Sequence, residues 1–149
     1  LLAETLAPKI DALRALSDDR DADLRERLET VIDMTVAYYD QNPDLRGFIA
    51  RASLEPEPRC EIVAERLLKP LFEAARPLIQ QGIDAGVIPL ADPAVVFVIV
   101  HSALGQPDRI ASALAALAPG RTRKETAIQM GEAITQLLLG GDKPGRRDG

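Results

Sequence analysis

Residues 92–105 read DPAVVFVIVHSALG, and the reading of this stretch decides the fold. Taken alone, VVFVIV has the β-branched richness of a buried strand. A strand needs a partner, however, and no second convincing strand occurs in the chain. Asp92-Pro93 points the other way: a capping side chain followed by proline at the first helical position, where its missing N–H costs nothing. The stretch therefore reads as a helix that is apolar nearly all round, and the fold class as all-α.

Working outward, the same periodicity recurs. The opening LLAETLAPKIDALRAL places Leu2, Leu6, Ile10, Leu13 and Leu16 three and four residues apart, one amphipathic stripe. SDDRD breaks it, and Asp21 caps a second helix carrying Leu24, Leu28, Val31, Ile32, Thr35 and Tyr39 inward. Asn42-Pro43 caps and opens a short third helix over about 43–54, presenting Leu45, Phe48, Ile49 and Ala52. LEPEP at 54–58 is a stiff connector into a long helix reaching about Ala85, in which Pro70 and Pro77 predict kinks. Gly86 and Val87 mark its end. A short helix over 108–117 leads to a Thr122/Glu125 capping box and a last helix ending at Leu139. The pattern predicts a multi-helix bundle of about seven helices, one domain over 1–140, and a Gly-rich disordered tail over 141–149. The first helix opens without Met or a capping residue, so a preceding segment is expected to belong to the whole protein.

Composition narrows the chemistry. The chain has 149 residues and a net charge of −5, so the whole chain offers no surface for nucleic acid. One cysteine, Cys60, leaves no disulfide framework and fits a reducing, cytoplasmic setting. The longest uncharged apolar run, 93–107, is too short to span a bilayer. A single Cys and a single His, His101, are too few for a zinc site, and no phosphate-cradling glycine motif occurs. His101 and Ser102 are adjacent, but helical neighbours point about 100° apart. Neither a catalytic role, nor a metal, nor a cofactor is expected; the chain does not read as an enzyme.

Several residues carry two readings. His101 is either a core histidine bonded to a carbonyl or a polar anchor in a pocket. Arg51 and Arg76 either pair with acids such as Glu55, Glu73 or Asp84, or meet an anionic ligand. Tyr38 and Phe72 serve core packing or pocket lining. Short helices tucked between long ones splay the latter apart, and cavities between splayed helices are where small-molecule sites form.

The segments NPDLRGFIARASLEPEPR, ERLLKPLFEAARPLIQQGIDAGVI, DPAVVFVIVHSALG and TRKETAIQMGEAITQLLLGG resemble, in order and spacing, the C-terminal ligand-binding and dimerisation domain of tetracycline-repressor (TetR-type) transcriptional regulators. The resemblance spans about residues 1–140. It implies a ligand-responsive repressor domain that forms a homodimer through its last two long helices. DNA binding would reside in an N-terminal helix-turn-helix that these residues do not contain. An effector that prefers one helix arrangement would shift the population away from the DNA-competent state.

Two sites are expected on this basis. A small, mostly apolar effector would sit among Leu6, Ile10, Tyr38, Phe48, Phe72, Arg76 and His101, with Tyr38, Arg76 and His101 as polar anchors. A four-helix dimer interface would use Val96, Val100, Ala127, Ile128, Gly131, Ile134, Thr135 and Leu138, the small residues letting a second helix approach. The alternative is a helical dimerisation or adaptor module without a ligand. A buried cavity of mixed polarity between the first, second and long central helices separates the two readings.

Overall fold

Helices account for every regular element among residues 2–52, 54 and 58–140, which the computed structural model describes. In chain order they are α1 (Leu2–Asp18), α2 (Leu24–Gln41), α3 (Pro43–Ala52), α4 (Pro58–Val63), α5 (Lys69–Asp84), α6 (Pro93–Leu104), α7 (Pro107–Leu117) and α8 (Arg123–Leu139). A π turn, Ala64–Leu68, joins α4 to α5 without a break, so the two make one long rod. Pro70 explains the wide turn. It has no N–H for the Arg66 carbonyl and its ring crowds that carbonyl, so the backbone closes instead through Lys69 N–H to Ala64 O. Of the connector expected over 54–58, residues 55–57 lie outside the described residues, as do the tail at 141–149 and the Cys60 thiol, while Pro58 already opens α4.

Local sequence sets the helix ends. Asp23, not Asp21, caps α2, its carboxylate accepting from the Glu26 amide at 3.0 Å. The SDDRD break supplies several competing caps, and the one adjacent to the first helical turn wins. Asn42 closes α2 rather than capping α3 with its side chain: its Nδ2 donates back to the Tyr38 carbonyl. Only its backbone carbonyl serves α3, accepting from Arg46 N. Asp92 caps α6 through the Ala94 amide at 2.8 Å, and Thr122 and Glu125 form the full reciprocal capping box of α8. Gly86, at φ +76°, takes the left-handed turn after α5, and the Val87 and Ile88 amides both close onto the Gly82 carbonyl.

The core gathers around α5, which packs against α1, α2 and α6, while α8 lies across α2, α6 and α7. Tyr39, Leu67, Leu71, Leu78, Thr35 and Thr126 are fully buried. Gly82 lets Leu28 and Ile88 cross close to α5: a Cβ there would stand 2.9 and 2.7 Å from their δ carbons. The DPAVVFVIVHSALG helix turns Val96, Phe97, Val100 and Leu104 inward and leaves Val95, Val98 and Ile99 exposed. Arg27 ties the α1–α2 corner to α5, donating to the carbonyls of Leu16 and Ala22 and to Gln81 Oε1.

Candidate functional site

Two neighbouring cavities meet at the inner face of α6. The inner one, about 50 Å³, is walled by α1, α2, α5, α6 and α8. Leu13, Leu28, Ile32, Ala75, Ile79, Ile88, Val96, Val100 and Leu138 make it almost wholly apolar, and Lys9, Thr35 and His101 are its polar side chains. The outer one, about 190 Å³, lies among α2, α3, the α4–π-turn segment and α6, bordered by Tyr39, Ile49, Val63, Leu68 and Ser102. Phe97 and His101 belong to both walls, their rings tilted 32° to one another with centroids 4.1 Å apart.

Helix geometry brings the polar end together. On α1 the buried row is Leu6, Lys9, Leu13 and Ser17, at steps of three and four, with Ile10 and Leu16 at its margin. Lys9 thus occupies a core position. Its Nζ reaches Thr35 Oγ1 at 3.4 Å and stands 5.1 Å from the centre of the Tyr38 ring, a cation–π placement. Among the described residues no carboxylate is paired with it. Burial without a counter-charge pulls its pKa from 10.5 down to about 8.

His101 is held by α2. Its Nδ1 lies 2.9 Å from the Tyr39 hydroxyl, and burial, reinforced by the charge of Lys9, pushes its pKa down to about 3. It is therefore a neutral imidazole at physiological pH, part-exposed as a residue but with its ring set among protein atoms. In the neutral ring one nitrogen donates and the other accepts, and the Tyr39 hydroxyl can serve either role at Nδ1. Burial raises the pKa of Tyr39 and, less completely, that of Tyr38, whose hydroxyl lies 3.5 Å from Thr5 Oγ1. No acid–base pair poised near neutrality emerges from this cluster.

Of the residues expected around an effector, His101 stands on both cavity walls. Leu6 and Tyr38 are buried nearby, and Ile10 and Phe72 are partly buried, Phe72 meeting Phe97 edge-on at 5.4 Å. Arg76 lies exposed on the outer side of α5, and Phe48 is exposed on α3. Lys9 is the polar group that pattern reading passed over; Thr35, read as inward-facing on the second helix, is buried against it. The signal for Lys9 was its place three residues after Leu6 and four before Leu13, inside the stripe. Of the expected dimer positions, Val96, Val100, Gly131, Ile134 and Leu138 are buried within the subunit, Ala127 and Thr135 are half-buried, and Ile128 is exposed. Gly131 faces α2, where a Cβ would come within 2.9 Å of Val36.

The described residues thus form an all-helical domain with an apolar, multi-helix cavity beside a part-exposed apolar helix. Residues 17–133 match the family described as tetracyclin repressor-like, C-terminal domain; the chain belongs to that family. No curated protein and no solved structure matches the chain. No described helix is long and apolar enough to cross a membrane.

Proposed function

We propose that this chain is the effector-binding and dimerisation domain of a ligand-responsive transcriptional repressor, not an enzyme. Operator DNA is read by a helix-turn-helix module outside these residues, and a small, mostly apolar molecule sets its affinity. The observation that carries the reading is the cavity between α1, α2 and α5, closed by α6 and α8. It lies where the sensor and adaptor readings part, and it is lined by apolar side chains with a few polar groups, as ligand sites are. As closed, it is about a third of the roughly 150 Å³ that holds a benzene ring. An effector of useful size therefore has to part the helices around it. A ligand that binds the parted arrangement better than the closed one shifts the population toward it.

The effector reading predicts that thermal-shift screening against apolar metabolites finds stabilising ligands. Ile32→Phe, which fills the cavity, should weaken them at least about tenfold, the cost of losing a methylene-sized fit or more. Absence of any hit for the wild-type chain would leave the adaptor reading ahead.

The domain works as a homodimer through α6 and α8. Val95, Val98 and Ile99 form one stripe along α6, Val98 being 55% exposed, and on α8 Ile128 and Leu137 are exposed as well. Sedimentation should give a dimer at about ten micromolar or below for an interface of standard size, and Val98→Asp should shift it to monomer. A wild-type monomer at that concentration would refute the dimer.

A further inference from the structure

Lys9 is 6% exposed, lines the inner cavity, and is held there by one long hydrogen bond and one aromatic face. An ammonium in such a place usually pairs with a carboxylate, because desolvating it alone is unfavourable. The other elements around the cavity do not supply one. α2 contributes Thr35 and apolar residues, α5 Ala75 and Ile79, α6 His101 and apolar residues, and α8 Leu138 and Leu139. Tyr38 and Tyr39 are held neutral by burial, and His101 is neutral too. The cavity is thus an apolar chamber in which, among the described residues, the one formal charge is positive and has no counter-ion.

We propose that the effector carries its own anion: a small amphipathic carboxylate whose head group pairs with Lys9 and accepts from Thr35, with its hydrocarbon part between Ile32, Ile79, Ile88 and Val100. The proposal rests on the effector-binding reading above and specifies the chemical class of the ligand. Thr35 Oγ1 spends its proton on the Val31 carbonyl at 2.8 Å, so its reorientation toward the ligand exchanges one acceptor for another. The neutral His101 adds no competing charge, and its ring wall separates the chamber from the outer cavity. A longer hydrocarbon part extends past Phe97 into that second volume.

A matched ligand series tests this. The probes are hexanoate, octanoate and decanoate, together with the primary alcohols and amines of the same lengths, titrated into the chain by calorimetry and followed by thermal shift. The carboxylates should bind and the alcohols and amines should bind at least about tenfold more weakly, the size of a charge-assisted contact. Lys9→Met and Lys9→Gln should both abolish the preference for the acid while leaving the fold intact by circular dichroism. Carboxylate affinity should also fall as pH rises through about 8, where Lys9 loses its proton, and this fall should be absent in Lys9→Met. If alcohols bind as tightly as acids, or if both variants keep the acid preference, the anionic head group is overturned while the apolar-effector reading stands. If none of the three series binds, the proposal is overturned; apolar hits in a wider screen would show that the effector reading survives it.

Discussion

Arg27 and Lys9 are almost equally buried, 5% and 6% exposed, and both lie where α1 meets α2. Their surroundings differ. The Arg27 guanidinium spreads its donors over the Leu16 and Ala22 carbonyls and Gln81, whose own amide turns back to the Ser17 carbonyl at 3.1 Å. This closes the α1 C-terminus, where the last carbonyls have no helical partner. Lys9, two turns earlier, has one long bond and no acid. The first cation is part of the scaffold; the second remains charged at a cost to stability. A buried polar group that stability alone would replace is a mark of a functional site.

The largest effect expected from this contrast is at Arg27. Arg27→Met leaves the Leu16 and Ala22 carbonyls and the Gln81 side-chain oxygen without the guanidinium donors and should destabilise the chain by about 3 kcal/mol, read as a shifted denaturation midpoint. A loss below about 0.5 kcal/mol would mean that water replaces the guanidinium and that the two cations do not differ. Lys9→Met should act in the opposite direction. A pKa held near 8 rather than 10.5 costs the folded state about 3 kcal/mol at pH 7, so removing the charge should stabilise by about 2–3 kcal/mol. The sign follows from the unfolded chain binding more protons at this site between those values. Wild-type stability should therefore gain on Lys9→Met-corrected measurement as pH rises from 8 to 10.5, and should be flat below 8. A destabilised Lys9→Met variant would place Lys9 in the scaffold with Arg27.

The smallest effect sharpens the comparison at a point between the two. Gly82→Ala drives a methyl against Leu28 and Ile88, both cavity-lining side chains. The clash is with flexible side-chain ends, and alanine favours the helix by nearly 1 kcal/mol. The net loss should be only about 1 kcal/mol, whereas ligand affinity should suffer more as the chamber narrows. Equal stability and unchanged affinity would show that the two side chains move away without using the cavity.

What the sequence disclosed was local. The Asp92-Pro93 start, the Thr122/Glu125 box and the Gly86 stop each involve groups within a few residues of each other, and all three form. The helical reading of VVFVIV rested on the absence of a partner strand and holds as well. The cavity was less legible because it depends on which edge of each stripe faces inward. Reading α1 through Ile10 and Leu16 keeps the stripe centred on Leu6 and Leu13 but puts two marginal residues in the places of Lys9 and Ser17, and so hides the helix's buried charge. Arg76 shows the converse: apolar neighbours in sequence did not turn it inward, since Ala75 and Ile79 take the inner face of α5. For α8, small residues mark close approach without saying to which helix, and at Gly131 that helix is α2.

The chain contains no tryptophan and only two tyrosines, adjacent at positions 38 and 39. Both rings lie beside the polar end of the site, their centroids 5.5 Å apart, one against Lys9 and the other bonded to His101. Tyrosine emission from the unlabelled chain therefore originates at the site alone. Occupancy can be followed as a change in tyrosine fluorescence without any attached dye. A single tryptophan introduced on a chosen helix would act as a lone energy acceptor, turning helix displacement into an optical distance measurement.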